Sequence, residues 1–361
     1  MTPTRQQVLD LRSHAQQLGR AAGSLADTAV LDLGVQDTGP DGGLWALALR
    51  GVDVRALAGD ELATVWTVRG APHLYRRADL PGVAAATAPF SDADAGKRIF
   101  DAAKPLTAAG IGNLEALDTV AATMRSVVTA PTVKGEVSAR LAELVPEPYL
   151  RYCRPCDATH PYEQPFRLAA LRAGLELEPG TSPPVLRPVP GLVPTPDVPP
   201  HLDVVRGYLR LLGPATPKLV AGYLDAPVVD VQARWPEDAV EVSVAGERRW
   251  LLAEDADRLG DLPPATGVHL LGPYDLLVQA RDRPLLVADP ARAKALWPVL
   301  GRPGAVLADG EVAGTWRPRK TGASLTVAVE LWSAVPRDAL VQAAGRLAAF
   351  RGVLLEDVHI D

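Results

Sequence analysis

Residues 179–200, PGTSPPVLRPVPGLVPTPDVPP, place nine prolines in 22 positions. Each proline removes a backbone donor and pushes its predecessor toward extended backbone. No helix and no central strand is expected across this stretch, so the chain on either side must close its own hydrogen bonds. The segment reads as an extended connector, with Val185, Leu186, Val189, Leu192 and Val193 able to dock on a surface. A chain of 361 residues leaves room for two or three cores around such a connector. Weaker breaks fall near residues 89–94 and 262–267.

The clearest element string follows the connector. Leu202, Val205, Leu209 and Leu212 recur at helical spacing, and Gly213-Pro214 ends the run. Thr216 offers an N-cap oxygen and Pro217 takes the first helical position, where its missing N–H costs nothing. Leu219, Val220, Tyr223 and Leu224 mark a second helix, and Val228, Val231 and Trp235 a third. Val240, Val242 and Val244 then alternate, Ala245-Gly246 turns, and Trp250 and Leu252 resume the alternation, which is a hairpin. Three short helices and a hairpin describe a winged helix, a unit that either reads a DNA groove with its third helix or packs on its neighbours. A second copy is expected around Val120–Val128 and the following Pro131–Leu144, and a third near the N-terminus. There Ser24 and Asp27 resemble a capping box, a helix stops at Gly34, and residues 65–68 pair with 73–75. The last hundred residues read as strand-rich, with residues 276–278 and 285–287 flanking a charged turn, Arg281-Asp282-Arg283. Strands at 305–308, 311–317 and 324–330 are joined through Asp309-Gly310 and Thr321-Gly322, and a helix is expected over 338–350.

Composition removes several classes. Apolar residues are 47% and charged residues 22%, which rules out wholesale disorder. No charge-free stretch reaches the ~18 apolar residues of a membrane span, and the polar start of the chain shows no signal peptide. Two cysteines exclude a disulfide scaffold and make a reducing cytoplasm the expected compartment. The net charge of −6 argues mildly against nucleic acid, but it is concentrated. Seven acids between Asp27 and Glu61 face only Arg50 and Arg55 there. Elsewhere basic clusters such as Arg317, Arg319 and Lys320 leave room for a cationic groove.

Few motifs carry chemistry. Cys153-Arg154-Pro155-Cys156 with His160 offers three metal donors, but a structural zinc wants four and no other cysteine exists. A turn with two thiols is the favoured reading, with no metal and no cofactor expected. His73 is expected to be a structural hydrogen-bonder. No nucleophile elbow, phosphate loop or His-Glu-x-x-His is present. Trp316, Arg317, Arg319 and Lys320 read as the tip of a hairpin, suited to phosphate contact and minor-groove insertion or, alternatively, a solvated turn.

Several strings together carry a resemblance. LGVQDTGPDGGLWALALR (33–50), RGAPHL (69–74) with Ala78-Asp79-Leu80, Cys153–His160 followed by FRLAALRAG (166–174), and 211–224, 248–255, 314–317 and 325–327 occur in an order similar to that of the winged-helix DNA glycosylases of the AlkZ and YcaQ type, nearer AlkZ. The resemblance spans nearly the whole chain. It implies an α+β fold of three tandem winged helices with a C-terminal β-rich portion. The expected division is 1–92, a winged helix with the catalytic loop; 93–178, a second; 179–200, the connector; 201–262, a third; and 263–361, the β-rich portion with the DNA-contact hairpin. It implies hydrolysis of the N-glycosidic bond of alkylated purines, such as N7-alkylguanine in bulky adducts or crosslinks, in double-stranded DNA. A cytoplasmic, nucleoid-associated monomer is expected.

In the family a Gln-apolar-Gln motif holds the attacking water. Here Gly34-Val35-Gln36 keeps only the second glutamine. Gln36 is therefore the residue implied to hold water, Asp37 an auxiliary, and Trp316, Arg317, Arg319 and Lys320 the DNA contacts. The missing amide keeps open a non-catalytic lesion- or DNA-binding protein, and the net charge of −6 keeps open an interaction scaffold without DNA affinity.

Overall fold

The computed structural model describes residues 1–39 and 41–360, with the backbone alone at Lys320 and Thr321. It is a mixed α+β chain that packs as two compact units, each drawn from separated stretches. One comprises Met1–Leu57, Val205–Val220 and Trp235–Asp361; the other comprises Ala58–Val204 and Ala221–Arg234. No helix among the described residues is long and apolar enough to cross a membrane.

The first unit is built on a five-stranded sheet ordered Val268–Leu271, Gly304–Ala308, Glu311–Thr321, Ser324–Leu331, Leu354–Ile360. The first four strands are antiparallel and the last is parallel. The parallel partner is reached through helix Arg337–Arg351, whose Leu340, Ala343, Ala344, Leu347 and Ala348 are buried at helical spacing. Asp309 and Gly310 both take positive φ, 48° and 79°, the geometry that lets a tight hairpin follow the strands' twist. Ala245 and Gly246, at 50° and 83°, turn the hairpin Ala239–Val244/Glu247–Leu252 in the same way. Helix Arg5–Ala15 opens with a capping box, Thr4 and Gln7 each satisfying the other's backbone N–H. Its Arg12 is buried with Arg249 against Asp282.

The second unit gathers helices Asp92–Arg98, Asn113–Val127, Lys134–Leu144 and Glu163–Arg172 around a core that includes Trp66, Ile99, Leu117, Met124, Leu141, Phe166 and Leu186. Its strands run in the order Pro72–Arg76, Leu62–Trp66, Leu175–Leu177, Val185–Pro188, Thr132–Val133.

Several expectations need correction. The connector does contribute an inner strand, because Val185–Pro188 pairs with both Leu175–Leu177 and Thr132–Val133. Leu186 is wholly buried there, and the prolines at 183, 184 and 188 bracket the pairing instead of interrupting it. Residues 276–279 and 283–286 are a 3-10 turn and a short helix, not strands, since the apolar run buries Leu277, Val278, Leu285 and Leu286 without alternation. The helix expected up to Gly34 is a single 3-10 turn, Ala29–Asp32. The three helices after the connector form at Val204–Leu212, Pro217–Leu224 and Val228–Gln232. The third is no groove reader by composition or setting. It has five residues and no cation, its Asp230 accepts from Ser91 Oγ at 2.7 Å, and Arg234 just beyond donates to Phe90 O.

Candidate active site around Gln36

The geometry around Gln36 belongs to the first unit. Leu33 and Val35 are buried, 0% and 2% exposed, and Gly34 between them has φ +85°. Gly34 thus ends the 3-10 turn in the left-handed region that side-chain-bearing residues avoid. Because Val35 points into the core, strand alternation sends the next side chain, Gln36, outward. Gln36 is half-buried and its Nε2 donates to Thr38 Oγ1 at 3.1 Å. Among the described residues its Oε1 accepts no hydrogen bond.

The carboxamide lines a pocket of 30 Å³ together with Thr38, Asp41, Tyr274 and Asp275. That volume suits about one ordered water. Both carboxylates are fixed. Asp41 is held by the Arg351 guanidinium, with Arg351 Nε donating at 2.6 Å. Asp275 forms a fully buried bidentate pair with Arg50, at 2.8 and 3.0 Å. Every donor of Arg50 is used, the rest going to Ala46 O, Gln16 O and Gln16 Oε1. A buried charge pair of this kind is tolerable only with such complete hydrogen bonding, and it makes the pocket floor rigid.

Asp37 turns away from this pocket. Its Oδ1 accepts from Gly43 N at 2.8 Å, at the start of helix Gly42–Ala48. Burial raises its carboxyl above the ordinary range, partly offset by that hydrogen bond. The auxiliary role expected of Asp37 is therefore not the one its geometry serves, because the helix end claims the carboxylate. The other nearby acids are also engaged: Asp27 pairs with Arg20 at 3.1 Å and Asp32 with Arg210 at 2.6 Å.

The cationic strand is placed differently from expectation. Trp316 is 2% exposed, lies mid-strand and donates its Nε1 to Leu271 O at 2.8 Å. A Cβ on the facing Gly304 would lie 2.2 Å from that Nε1, so the glycine makes room for the indole. Trp316 is thus a core anchor and not a DNA contact, because a ring that apolar gains more from burial than from projecting. It fixes the strand end that leads into the Gly272–Asp275 wall of the Gln36 pocket. Strand Gly304–Ala308 ends its pairing at Trp316, and Arg317 and Arg319, two apart, share one face beyond it and are exposed. The Lys320 side chain lies outside the described residues.

Arg317 Nη2 donates to Gly301 O at 2.8 Å. The next residue, Arg302, sits 5.5 Å over the Tyr274 ring, and Tyr274 lines the pocket that holds Gln36. The predicted cation and the predicted amide are thereby linked through Gly301, Arg302 and Tyr274. Sequence reading missed the cations between them. Arg283 stacks over Trp297 at 4.9 Å, and its guanidinium is pushed below the usual arginine range by burial and then by the like charges of Arg302 and Arg281. None of these three arginines has an acidic partner among the described residues. The acid between two of them in sequence, Asp282, faces inward to Arg12 and Arg249. Burial pushes Asp282 up, but those two cations leave it net below the ordinary range. The only sequence signal was the turn Arg281-Asp282-Arg283, whose charges look cancelled until the acid is seen to be inside.

A separate 630 Å³ cavity touches Trp45 and Ala48 of the same helix, with Arg20, Arg55, His269 and Arg346 on its wall. It contains none of the catalytic or DNA-contact residues expected from sequence. His73, in the second unit, is fully buried, with Nδ1 at 2.9 Å from Ala71 O and 3.0 Å from Thr67 Oγ1. Burial, and then the nearby Arg69 charge, lower its pKa to about 3.

The fold aligns with Streptomyces sahachiroi DNA glycosylase AlkZ over 100% of both chains, with a TM-score of 0.76 and 22% identity. Among curated proteins none matches the chain. A family model described as DNA glycosylase AlkZ-like matches residues 30–350, a span that includes Gln36, Tyr274, Arg302 and Arg317. The chain belongs to the AlkZ-like DNA glycosylase family.

Proposed function

We propose that the protein is a monofunctional DNA glycosylase that hydrolyses the N-glycosidic bond of alkylated purines, N7-alkylguanine foremost, in double-stranded DNA. The observation that carries this reading is a half-exposed amide, with an open acceptor oxygen, on a water-sized pocket beside arginines that have no acidic partner. N7 alkylation makes the base cationic and a good leaving group, so little general-acid help is needed. What remains is to place a water and to stabilise positive charge growing on the sugar. Gln36 Oε1 accepts one O–H of the water and turns its lone pair outward. Asp41 and Asp275 put negative charge on the pocket's wall, though each is largely balanced by its arginine. The water oxygen bonds to C1′, the C1′–N9 bond breaks, the base leaves neutral, and the water's proton passes to solvent.

A 30 Å³ pocket holds the water and not a base. The lesion would therefore meet the water at the pocket's mouth, where Tyr274 offers a ring. Arg281, Arg283, Arg302, Arg317 and Arg319 would take phosphates, which fix register without reading sequence.

The test is release of free N7-methylguanine from methylated duplex DNA by the pure protein. Gln36→Ala is expected to slow release by about 10²–10³-fold, the loss typical of one positioned polar group. Wild-type release no greater than that of Gln36→Ala would favour a second reading, a DNA-binding protein without catalysis. Gly34, in place of the family's first glutamine, supports that alternative.

A further inference from the structure

In the second unit, strands Leu150–Cys153 and Ala158–Pro161 form an antiparallel hairpin, with Arg151 opposite His160 and Cys153 opposite Ala158. A 3-10 turn, Arg154–Cys156, joins them and ends at Asp157 in the left-handed region, φ 48° and ψ 43°. This tight turn folds the second cysteine back over the first. The two sulfurs lie 3.0 Å apart. His160 comes from the returning strand, and the three donor atoms all lie within 4.8 Å of one another.

We propose that Cys153, Cys156 and His160 form a binding site for a divalent, borderline-soft cation, zinc by preference, with a water as fourth ligand. The donor set is the argument. Two thiolates neutralise the ion's charge, and imidazole with thiolate selects zinc over the hard oxygen-seeking cations. Tetrahedral bonds of about 2.3 Å to sulfur set two sulfurs about 3.8 Å apart, so the present pair need part by less than an ångström.

His160 is already oriented as a ligand. Its Nδ1 is 2.9 Å from Pro161 O, which commits that nitrogen as a donor and leaves Nε2 with the lone pair. Ligating histidines characteristically carry such an outer hydrogen bond.

The sequence objection was the lack of a fourth protein donor, and the fold supplies none among the described residues. Asp157, the nearest candidate, accepts from Tyr152 Oη at 2.6 Å. A three-ligand site on an exposed turn does not need one, since water can complete the shell. The hairpin buries little of itself, Tyr152 being 60% exposed, and an isolated two-stranded hairpin is marginal. The ion would staple it ahead of helix Glu163–Arg172.

The experiment is titration of the reduced full-length protein with cobalt(II), followed by absorbance. One equivalent should bind, giving thiolate-to-cobalt charge-transfer and tetrahedral ligand-field bands, and zinc should displace it. The double variant Cys153→Ser/Cys156→Ser should lose the bands while keeping its circular dichroism. His160→Asn should weaken binding by more than the 10- to 100-fold typical of a lost outer-shell partner. Two results would overturn the proposal. One is the absence of these bands in reduced wild-type protein. The other is a spectrum unchanged in the double serine variant. Air oxidation to a disulfide by protein that takes up no cobalt gives the first result and assigns the pair to redox chemistry.

Discussion

Gly34 and Gln36 sit two residues apart and answer to different constraints. At 34 the backbone chooses the residue, because φ +85° is open to glycine and strained for anything bearing a Cβ. At 36 the environment leaves a polar side chain half-exposed with a vacant acceptor. Restoring the family's first glutamine is therefore not a simple gain. Gly34→Gln should cost about 1–2 kcal/mol in denaturant unfolding and should not speed base release. A variant as stable as wild type with faster release would refute this account. His73 makes a second residue-scale prediction. Its folded pKa, about 3, lies below the ordinary 6.5, so the folded state refuses a proton that the unfolded chain accepts. Above pH 6.5 the group is neutral in both states and its contribution is fully present. As pH falls toward 3 stability should drop by up to roughly 1.4 kcal/mol per unit from this group. Urea unfolding between pH 6.5 and 4.5 should show the slope, and His73→Gln should flatten it.

Strand Glu311–Thr321 shows how one element serves two purposes. Residues 313–316, backed by strand Gly304–Ala308, are buried with Trp316 among them, and Arg317 and Arg319 lie beyond the end of that pairing and are exposed. Read only as a cluster of an aromatic with cations, the same residues suggested a single DNA-probing tip. The end of the neighbouring strand separates them. Trp316→Ala should behave as a core truncation, costing about 3–5 kcal/mol, whereas Arg317→Ala/Arg319→Ala should leave the melting temperature nearly unchanged and weaken DNA binding. A melting scan and a filter-binding assay on both variants decide the matter. Equal DNA-binding loss per unit of folded protein in the tryptophan variant would return it to the interface. The hairpins at Ala245-Gly246 and Asp309-Gly310 were legible for a different reason, since a turn needing positive φ at both central residues restricts the sequence locally. The 3-10 turn at 277–279 was not legible. A short apolar run buried on all sides has no period to read.

At the scale of the whole molecule, a net charge of −6 says little about the surface that would meet DNA. In the first unit Asp282 and Asp275 are spent on buried arginines, while Arg281, Arg283 and Arg302 stand together without acids. If these three take phosphates, replacing all of them with alanine should lower the slope of log affinity against log salt by about 0.9 for each phosphate no longer neutralised. Binding should weaken alike on all duplex sequences. A slope unchanged from wild type would place the DNA elsewhere. The protein's division into two units, each assembled from distant stretches, was likewise beyond a linear reading. Composition breaks along the chain mark where elements stop, not which elements pack together.

Local rules let the chain alone specify its helices and hairpins, its lone glutamine in the Gly34-Val35-Gln36 string and the ordered strings that place it in its family. Caps, turns and hydrophobic spacing act over a few residues, so they survive in one dimension. Tertiary packing decided that Trp316 is interior and that Asp282 turns from its arginine neighbours to Arg12 and Arg249. Those outcomes depend on which side chains lose water and which charges find partners across hundreds of residues, and no spacing along the chain encodes that competition.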